Sequence, residues 1–282
     1  LILDWAINEA KESDVTIACF GFTPQFESEE GDAIYSECSG DRKTIDLPGN
    51  QIEYIKRLSA TGTKIILCLS GGSPINIEAI RDYVEAILMI WYPGEEGGNA
   101  VADIIVGKAS PSGKLPVTFI KSLDDIPEFS DYSMEGRTYR FAEGNVDYPF
   151  GFGLSYSTFS YSDLRLSTTV ITRDTPLRGS FTLNNTGNFD AEEVCQIYLE
   201  YPNSAFGIKR QLVGFKRMAV KKQEAKVVNF EILPEQLLVC DPEGNFILHQ
   251  GEYKIAIGGC SPCDEGLIKG APHPITALFK IE

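Results

Sequence analysis

Residues 21–51 read GFTPQFESEEGDAIYSECSGDRKTIDLPGNQ. The run before them, Val15–Gly21 (VTIACFG), is short and continuously apolar, as suits a strand covered on both faces. It passes directly into a loop carrying Glu27, Glu29, Glu30, Asp32, Glu37, Asp41 and Arg42. The loop closes at Leu47-Pro48, where a helix is expected with proline at its first position, since a helix leaves the N–H there unbonded in any case. Ile52, Ile55 and Leu58 recur at helical spacing, and Gly62 supplies the stop. Carboxylates on a loop at the carboxyl end of a strand stand where ligands of open α/β sheets bind. The competing reading is a solvated acidic loop, because charge runs usually lie at the surface.

The same alternation of strand and helix extends to both sides. Residues 1–12 have a helical pattern that Ser13-Asp14 breaks. Lys64–Leu69 is a second continuous apolar run, closed by Ser70-Gly71-Gly72-Ser73-Pro74, a tight turn that does not carry the G-x-G-x-x-G spacing of a dinucleotide site. Ile77–Tyr83 has the length of a short helix, and Ala86–Tyr92 (AILMIWY) is a third buried-strand candidate, ending at Pro93-Gly94-Glu95-Glu96-Gly97-Gly98-Asn99. Val101, Ile104 and Ile105 form a helical stripe stopped by Gly107. Strand and helix in alternation imply a largely parallel sheet with helices on both faces. The loops after Gly21, Leu69 and Tyr92 then meet at one edge of that sheet, where Glu27, Glu29, Glu95 and Glu96 could share a cleft. Glu95 and Glu96 equally suit the N-terminus of the next helix.

From Phe159 the period changes to two. Cys195, Ile197 and Leu199 alternate with more polar neighbours, as do Val228, Phe230 and Ile232, and Tyr253, Ile255 and Ile257. Turn signals such as Asp241-Pro242-Glu243-Gly244 separate these runs, so an antiparallel β-sandwich is expected. Between the two patterned regions lies a stretch rich in aromatic residues and glycine, too aromatic for a flexible linker. The expected organisation is therefore an α/β module over 1–121, a connecting segment over 122–157 packed on it, and a β-sandwich over 158–282. Asn184-Asn185-Thr186 is a formal glycosylation sequon.

The chain has 282 residues, 43% hydrophobic and 23% charged, with a formal net charge of -15. This field repels phosphate backbones and anionic lipid surfaces, so nucleic acid is excluded as a partner and a neutral ligand such as a sugar is favoured. No apolar run approaches the ~18–20 residues of a membrane span. The seven cysteines are an odd number. Cys260-x-x-Cys263 has no second ligand pair, with His249 and His273 the only histidines, so a loop disulfide or two plain thiols are expected ahead of zinc. Neither a metal nor a cofactor is expected. Leu1 is followed at once by a helical pattern without a signal-like segment, which reads as a chain cut from something longer.

Several spaced motifs resemble glycoside hydrolase family 3: GDRKTIDLPGNQ (40–51), AILMIWYPGEEGGNAVADIIVGKASPSGKLPVTF (86–119), DYSMEGRTYRF (131–141) and YPFGFGLSYSTFSY (148–161). RQLVGFKR (210–217) resembles part of that family's terminal fibronectin-III-like domain. The resemblance implies an α/β sandwich followed by the fibronectin-III-like sandwich, with an N-terminal (β/α) barrel as the partner domain that supplies the nucleophilic Asp. The α/β sandwich lends the Glu acid/base, and retention requires the two carboxyl groups about 5–5.5 Å apart. Glu29 matches the second Glu of the family's E-x-E pattern and is the first candidate for that role, Glu27 the second and Glu30 the third. Arg42 is expected to brace the loop through Asp32 or Asp41. Glu95 stands where glutamine is more usual.

The ESEE loop and the DYSMEGRTYR segment resemble the β-xylosidase and α-L-arabinofuranosidase branch, which implies an exo-acting retaining enzyme on plant-type oligosaccharides such as those from xylan. β-Glucosidase is an alternative, as is a non-catalytic carbohydrate-binding or scaffold role for the chain by itself. A flavodoxin-like domain fits the parallel sheet but lacks a phosphate loop. A homodimer is compatible with this reading, and a secreted or periplasmic location is favoured over a cytoplasmic one.

Overall fold

A computed structural model describes residues 4–29, 32, 33, 35, 36, 41–144, 146–201 and 206–282. Glu30, Glu37 and Cys38 lie outside the described residues. The chain divides into two compact units, one formed by residues 1–105 and 119–125 and the other by 106–118 and 126–282.

In the first unit the order is α1 (Asp4–Lys11), β1 (Val15–Gly21), α2 (Gly49–Ser59), β2 (Lys64–Ser70), β3 (Ala86–Met89) and α3 (Gly97–Ile105). The three strands pair in parallel in the order β1-β2-β3, with Cys19 opposite Cys68 and Cys68 opposite Leu88. The apolar run of β2 occupies the centre, where Ile65, Leu67, Cys68 and Leu69 are buried. β1 departs from the expectation of cover on both faces: Ala18 is buried, whereas Val15, Ile17 and Cys19 on the opposite face are exposed. Phe20 meets Tyr54 of α2 edge-on at 5.6 Å, so the helix covers only one side.

Three further expectations are corrected. Pro48 precedes α2 as its N-cap, with ψ 135°. Its extended backbone turns its carbonyl toward the N–H groups of Gln51 (2.8 Å) and Ile52 (3.2 Å), and the helix proper begins at Gly49. Ile77–Tyr83 does not form a helix beyond a 3-10 turn at Arg81–Tyr83. Ile75, Ile77 and Ile80 are all buried, and a segment that inserts three isoleucines at this uneven spacing cannot present them as one helical stripe. β3 stops at Met89, short of Tyr92, because Trp91 takes a left-handed φ of 52°.

The end of β1 is fixed by a reciprocal clamp. Gly21 N–H donates to Gln51 Oε1 at 2.9 Å, and Gln51 Nε2 returns a bond to Gly21 O at 2.7 Å. A Cβ at position 21 would lie 1.9 Å from Ser70 O, so only glycine lets the ends of β1 and β2 approach this closely.

In the second unit β4 (Phe159–Leu166), β6 (Leu177–Asn185) and β9 (Ala225–Ile232) form one sheet in the order β9-β6-β4. The other contains β5 (Val170–Ile171), β7 (Ala191–Glu200), β8 (Arg210–Val220), β10 (Gly251–Gly258) and β11 (Ile275–Ile281), in the order β8-β7-β10-β11-β5. Phe181 and Leu183 from the first sheet share a core with Leu199, Tyr253, Ile255 and Phe279 from the second, as the period-two pattern requires.

The aromatic and glycine-rich segment is sewn to this sandwich. Gln196 Nε2 donates to Gly151 O (3.0 Å) and Gly259 O (2.7 Å), and Tyr139 stacks on Phe150 at 4.2 Å. Buried Glu193 pairs with Lys114 Nζ at 3.1 Å and accepts from Tyr161 Oη at 3.1 Å. Asn184 of the sequon lies within β6, its Nδ2 3.3 Å from Ser162 Oγ. Cys260 and Cys263 are free thiols, and burial raises both thiol pKa values, that of Cys260 to about 12. No described helix is long and apolar enough to cross a membrane.

Candidate active-site rim

All three strands of the first unit run in parallel, so the loops leaving β1, β2 and β3 emerge at one edge of the sheet. Their side chains converge on Glu27. The segment after β1 folds back through bonds from Phe26 N–H (2.8 Å) and Glu27 N–H (3.1 Å) to Thr23 O. From there the Glu27 carboxylate meets donors from three other places in the sequence. Arg42 Nε approaches Oε1 at 2.9 Å. On Oε2, Gly72 N–H donates at 2.9 Å and Tyr92 Oη at 2.6 Å. Ser73 Oγ lies 3.4 Å from Oε1.

Arg42 is the second half of this lock. Its Nη2 donates to Pro74 O at 2.9 Å and to Ser73 Oγ, and its guanidinium lies over the Phe22 ring, 4.1 Å from the centroid. The Arg42 and Glu27 side chains are only 13% and 14% exposed. Burial lowers the Arg42 pKa, and the Glu27 charge opposes that shift. Nη1 is buried without a partner among the described residues. The phenol of half-exposed Tyr92 is pushed up to about 12, first by partial burial, then by the hydrogen bond to Glu27 and that group's charge. Space at Gly72 is tight: a Cβ there would lie 3.3 Å from both Glu27 Oε2 and the Tyr92 ring, which would have to give by a few tenths of an ångström.

Arg42 therefore braces the loop through Glu27, not through Asp32 or Asp41, both of which are exposed. The reason is access: among the described carboxylates of the loop, Glu27 is the one bonded to the Gly72–Pro74 segment against which Arg42 is packed. Glu29 is placed differently. It is exposed, its backbone carbonyl accepts from Asp32 N–H at 3.0 Å, and among the described residues its carboxylate makes no hydrogen bond or ion pair. Glu30 is outside the described residues. Glu95 is exposed, and Glu96 accepts from Asn99 Nδ2 within the first turn of α3, which is the helix-end role. The group that the β3 loop sends to Glu27 is Tyr92. Sequence reasoning gave neither Tyr92 nor Gly72 a role at the site, although Tyr92 ends the third apolar run and Gly72 lies in the turn that closes the second.

A carboxylate with donors on both oxygens is a tether; one with neither oxygen engaged is available to exchange a proton. Among the described residues of this loop, Glu27 is of the first kind and Glu29, two residues on, of the second.

The sequence matches the glycosyl hydrolase family 3 C-terminal domain over residues 3–156 and a fibronectin type III-like domain over residues 193–261. It is 36% identical over 265 residues to a xylan 1,4-β-xylosidase of Xylanibacter ruminicola, covering 93% of this chain and 30% of that protein. Over 270 residues it is 34% identical to a periplasmic β-glucosidase of Salmonella typhimurium, covering 91% of this chain and 34% of that protein. A solved β-glucosidase from Erythrobacter marinus superimposes with a TM-score of 0.80 at 28% identity, over 99% of this chain and 36% of that one. The chain spans about a third of the length of the curated relatives it matches.

Proposed function

Because the chain belongs to glycosyl hydrolase family 3, whose C-terminal domain it carries, we propose that it forms the acid/base-bearing part of a retaining, exo-acting β-glycosidase with β-xylosides as substrates. The observation that carries this reading is the contrast between locked Glu27 and Glu29, whose carboxylate has no partner among the described residues. Glu29 is the general acid that protonates the departing oxygen, and then the base that activates water against the glycosyl-enzyme. Glu27 is a positioning residue. Through Arg42, Gly72 and Tyr92 it anchors the loop two residues from Glu29, so that a carboxylate on an otherwise exposed segment keeps a defined place. The nucleophilic Asp belongs to an N-terminal (β/α) barrel of the complete protein, and export to the periplasm or beyond suits oligosaccharides released from an extracellular polysaccharide.

The xyloside preference is supported by the xylosidase relative and by the ESEE and EGRTYR motifs; β-glucosides are the second reading, supported by the β-glucosidase relatives. The test is Glu29→Gln in the complete protein, assayed on aryl β-xylosides with good and poor leaving groups. Loss of about 10²–10⁴-fold is expected on the poor leaving group, where protonation is needed, and little loss of the glycosylation step on the activated one. Equal loss on both, or the same selective pattern from Glu27→Gln, would remove Glu29 from the role. Aryl β-glucoside and α-arabinofuranoside run alongside decide the sugar.

A further inference from the structure

Phe129, 90% exposed, and Tyr132, 79% exposed, stand on a turn in the second unit that plays no part in the rim described above. Such exposure usually goes with a loose segment, but this turn is held. Asp131 N–H donates to Glu128 O at 2.9 Å and closes it. The Asp131 carboxylate accepts from Ser133 N–H at 2.8 Å, and this bond lowers its pKa. Arg137 gathers three backbone carbonyls, those of Pro127 (3.1 Å), Glu128 and Asp131 (3.3 Å). An arginine that binds three backbone oxygens fixes the turn without covering its rings. The ordering entropy of the platform is therefore already met before any ligand arrives.

The surroundings select the ligand. Glu128, Asp131 and Glu135, neighbours of the two rings in the sequence, are exposed, within a chain of net charge -15. Carboxylates repel nucleic acid and anionic lipid, and they accept strong hydrogen bonds from hydroxyl groups. A β-linked pyranose has one face of C–H groups for an aromatic ring and a rim of hydroxyls for the acceptors; it is uncharged, so it meets no repulsion. We propose that the Phe129–Tyr132 turn is a binding platform for a neutral β-linked pyranose chain. This deepens the glycosidase reading and rests on it for the substrate class.

The test uses the complete protein, wild type and Phe129→Ala/Tyr132→Ala, in native gels cast with soluble xylan or with a soluble β-glucan, together with kcat/KM on an aryl β-xyloside. Phe215→Ala, which removes an exposed ring from β8, is the control. Retardation by polysaccharide is expected for wild type and the control, with affinity reduced at least tenfold in the double variant and aryl-xyloside kcat/KM within about twofold of wild type. Both mutated side chains are solvent-exposed, so an unchanged thermal midpoint checks folding. Retardation by β-glucan in place of xylan supports the platform while counting against the xyloside preference. No retardation of wild type by either polymer, or undiminished retardation of the double variant, overturns the proposal even if Glu29 proves to be the acid/base.

Discussion

Removing Glu27 should destabilise the first unit through Arg42. In Glu27→Ala the guanidinium, 13% exposed and already carrying one unpartnered nitrogen, loses its counter-charge, while Tyr92 Oη and Gly72 N–H lose their acceptor. Breaking a buried pair from one side costs about 3–5 kcal/mol, and the residual exposure of both partners argues for the lower end, ~3 kcal/mol. Arg42→Met should cost less, about 2 kcal/mol, because Glu27 keeps two donors. In the double variant no charge is stranded, so its loss should fall short of the sum of the singles by ~1.5 kcal/mol or more. Both tryptophans, Trp5 and Trp91, lie in the first unit, so tryptophan emission during urea unfolding reports that unit selectively. With a urea m-value of about 1–3 kcal/mol/M, the Glu27→Ala midpoint should drop by roughly 1 M or more. A drop worth less than about 0.5 kcal/mol, or strictly additive losses in the double variant, would falsify the lock.

The pH dependence of the same unit has a defined sign. Cys68 is raised to about 11 by burial and Tyr92 to about 12, so the stability each contributes is complete below its ordinary value, 9 or 10, and is lost as pH rises through the folded value. Urea midpoints should therefore fall between pH 9 and 12, and Tyr92→Phe should flatten the part above pH 10. In the second unit, Lys114→Met strands Glu193, whose pKa burial already raises and whose charge Lys114 offsets; a loss of ~3 kcal/mol at neutral pH is expected by calorimetry, relieved on acidification and by adding Glu193→Gln. Gly151→Ala places a Cβ 2.0 Å from Gln196 Oε1 at a φ of +80°, and should cost upwards of ~3 kcal/mol, whereas Gly113→Ala, with nothing within 4 Å, should cost little.

Much of the fold was legible because it depends on local pattern. The three apolar runs at Val15, Lys64 and Ala86 became parallel strands, and the period-two residues of Phe181–Leu183 and Tyr253–Ile257 became the sandwich core. The errors lie where local pattern underdetermines the outcome. An apolar run such as VTIACFG reads the same whether one face or both are covered, and Val15 and Ile17 prove to be on the open face. Ile75, Ile77 and Ile80 are apolar at a spacing that fits neither period cleanly, and the chain uses them as separate plugs. The motifs identified the family with little dependence on these details, since they record chemistry and turns more than burial.

The candidate site was legible as a place but not as a set of roles. Six carboxylates and one arginine between residues 27 and 42 offer many pairings, and nothing local ranks them. What ranks them is the approach of chain 45 and 65 residues away, bringing the Gly72 N–H and the Tyr92 hydroxyl to one carboxylate. Glu27 and Glu29 are chemically identical and two residues apart, and what distinguishes them in the structure is the set of groups that reach Glu27: Arg42, Gly72 N–H and Tyr92 Oη. On the proposed assignment, Tyr92 and Gly72 act by holding Glu27 and with it the loop that carries Glu29. A Tyr92→Phe change should then be felt as a looser acid/base loop, with kcat falling more on poor leaving groups than on activated ones, and without the change in sugar preference that loss of a substrate contact would bring.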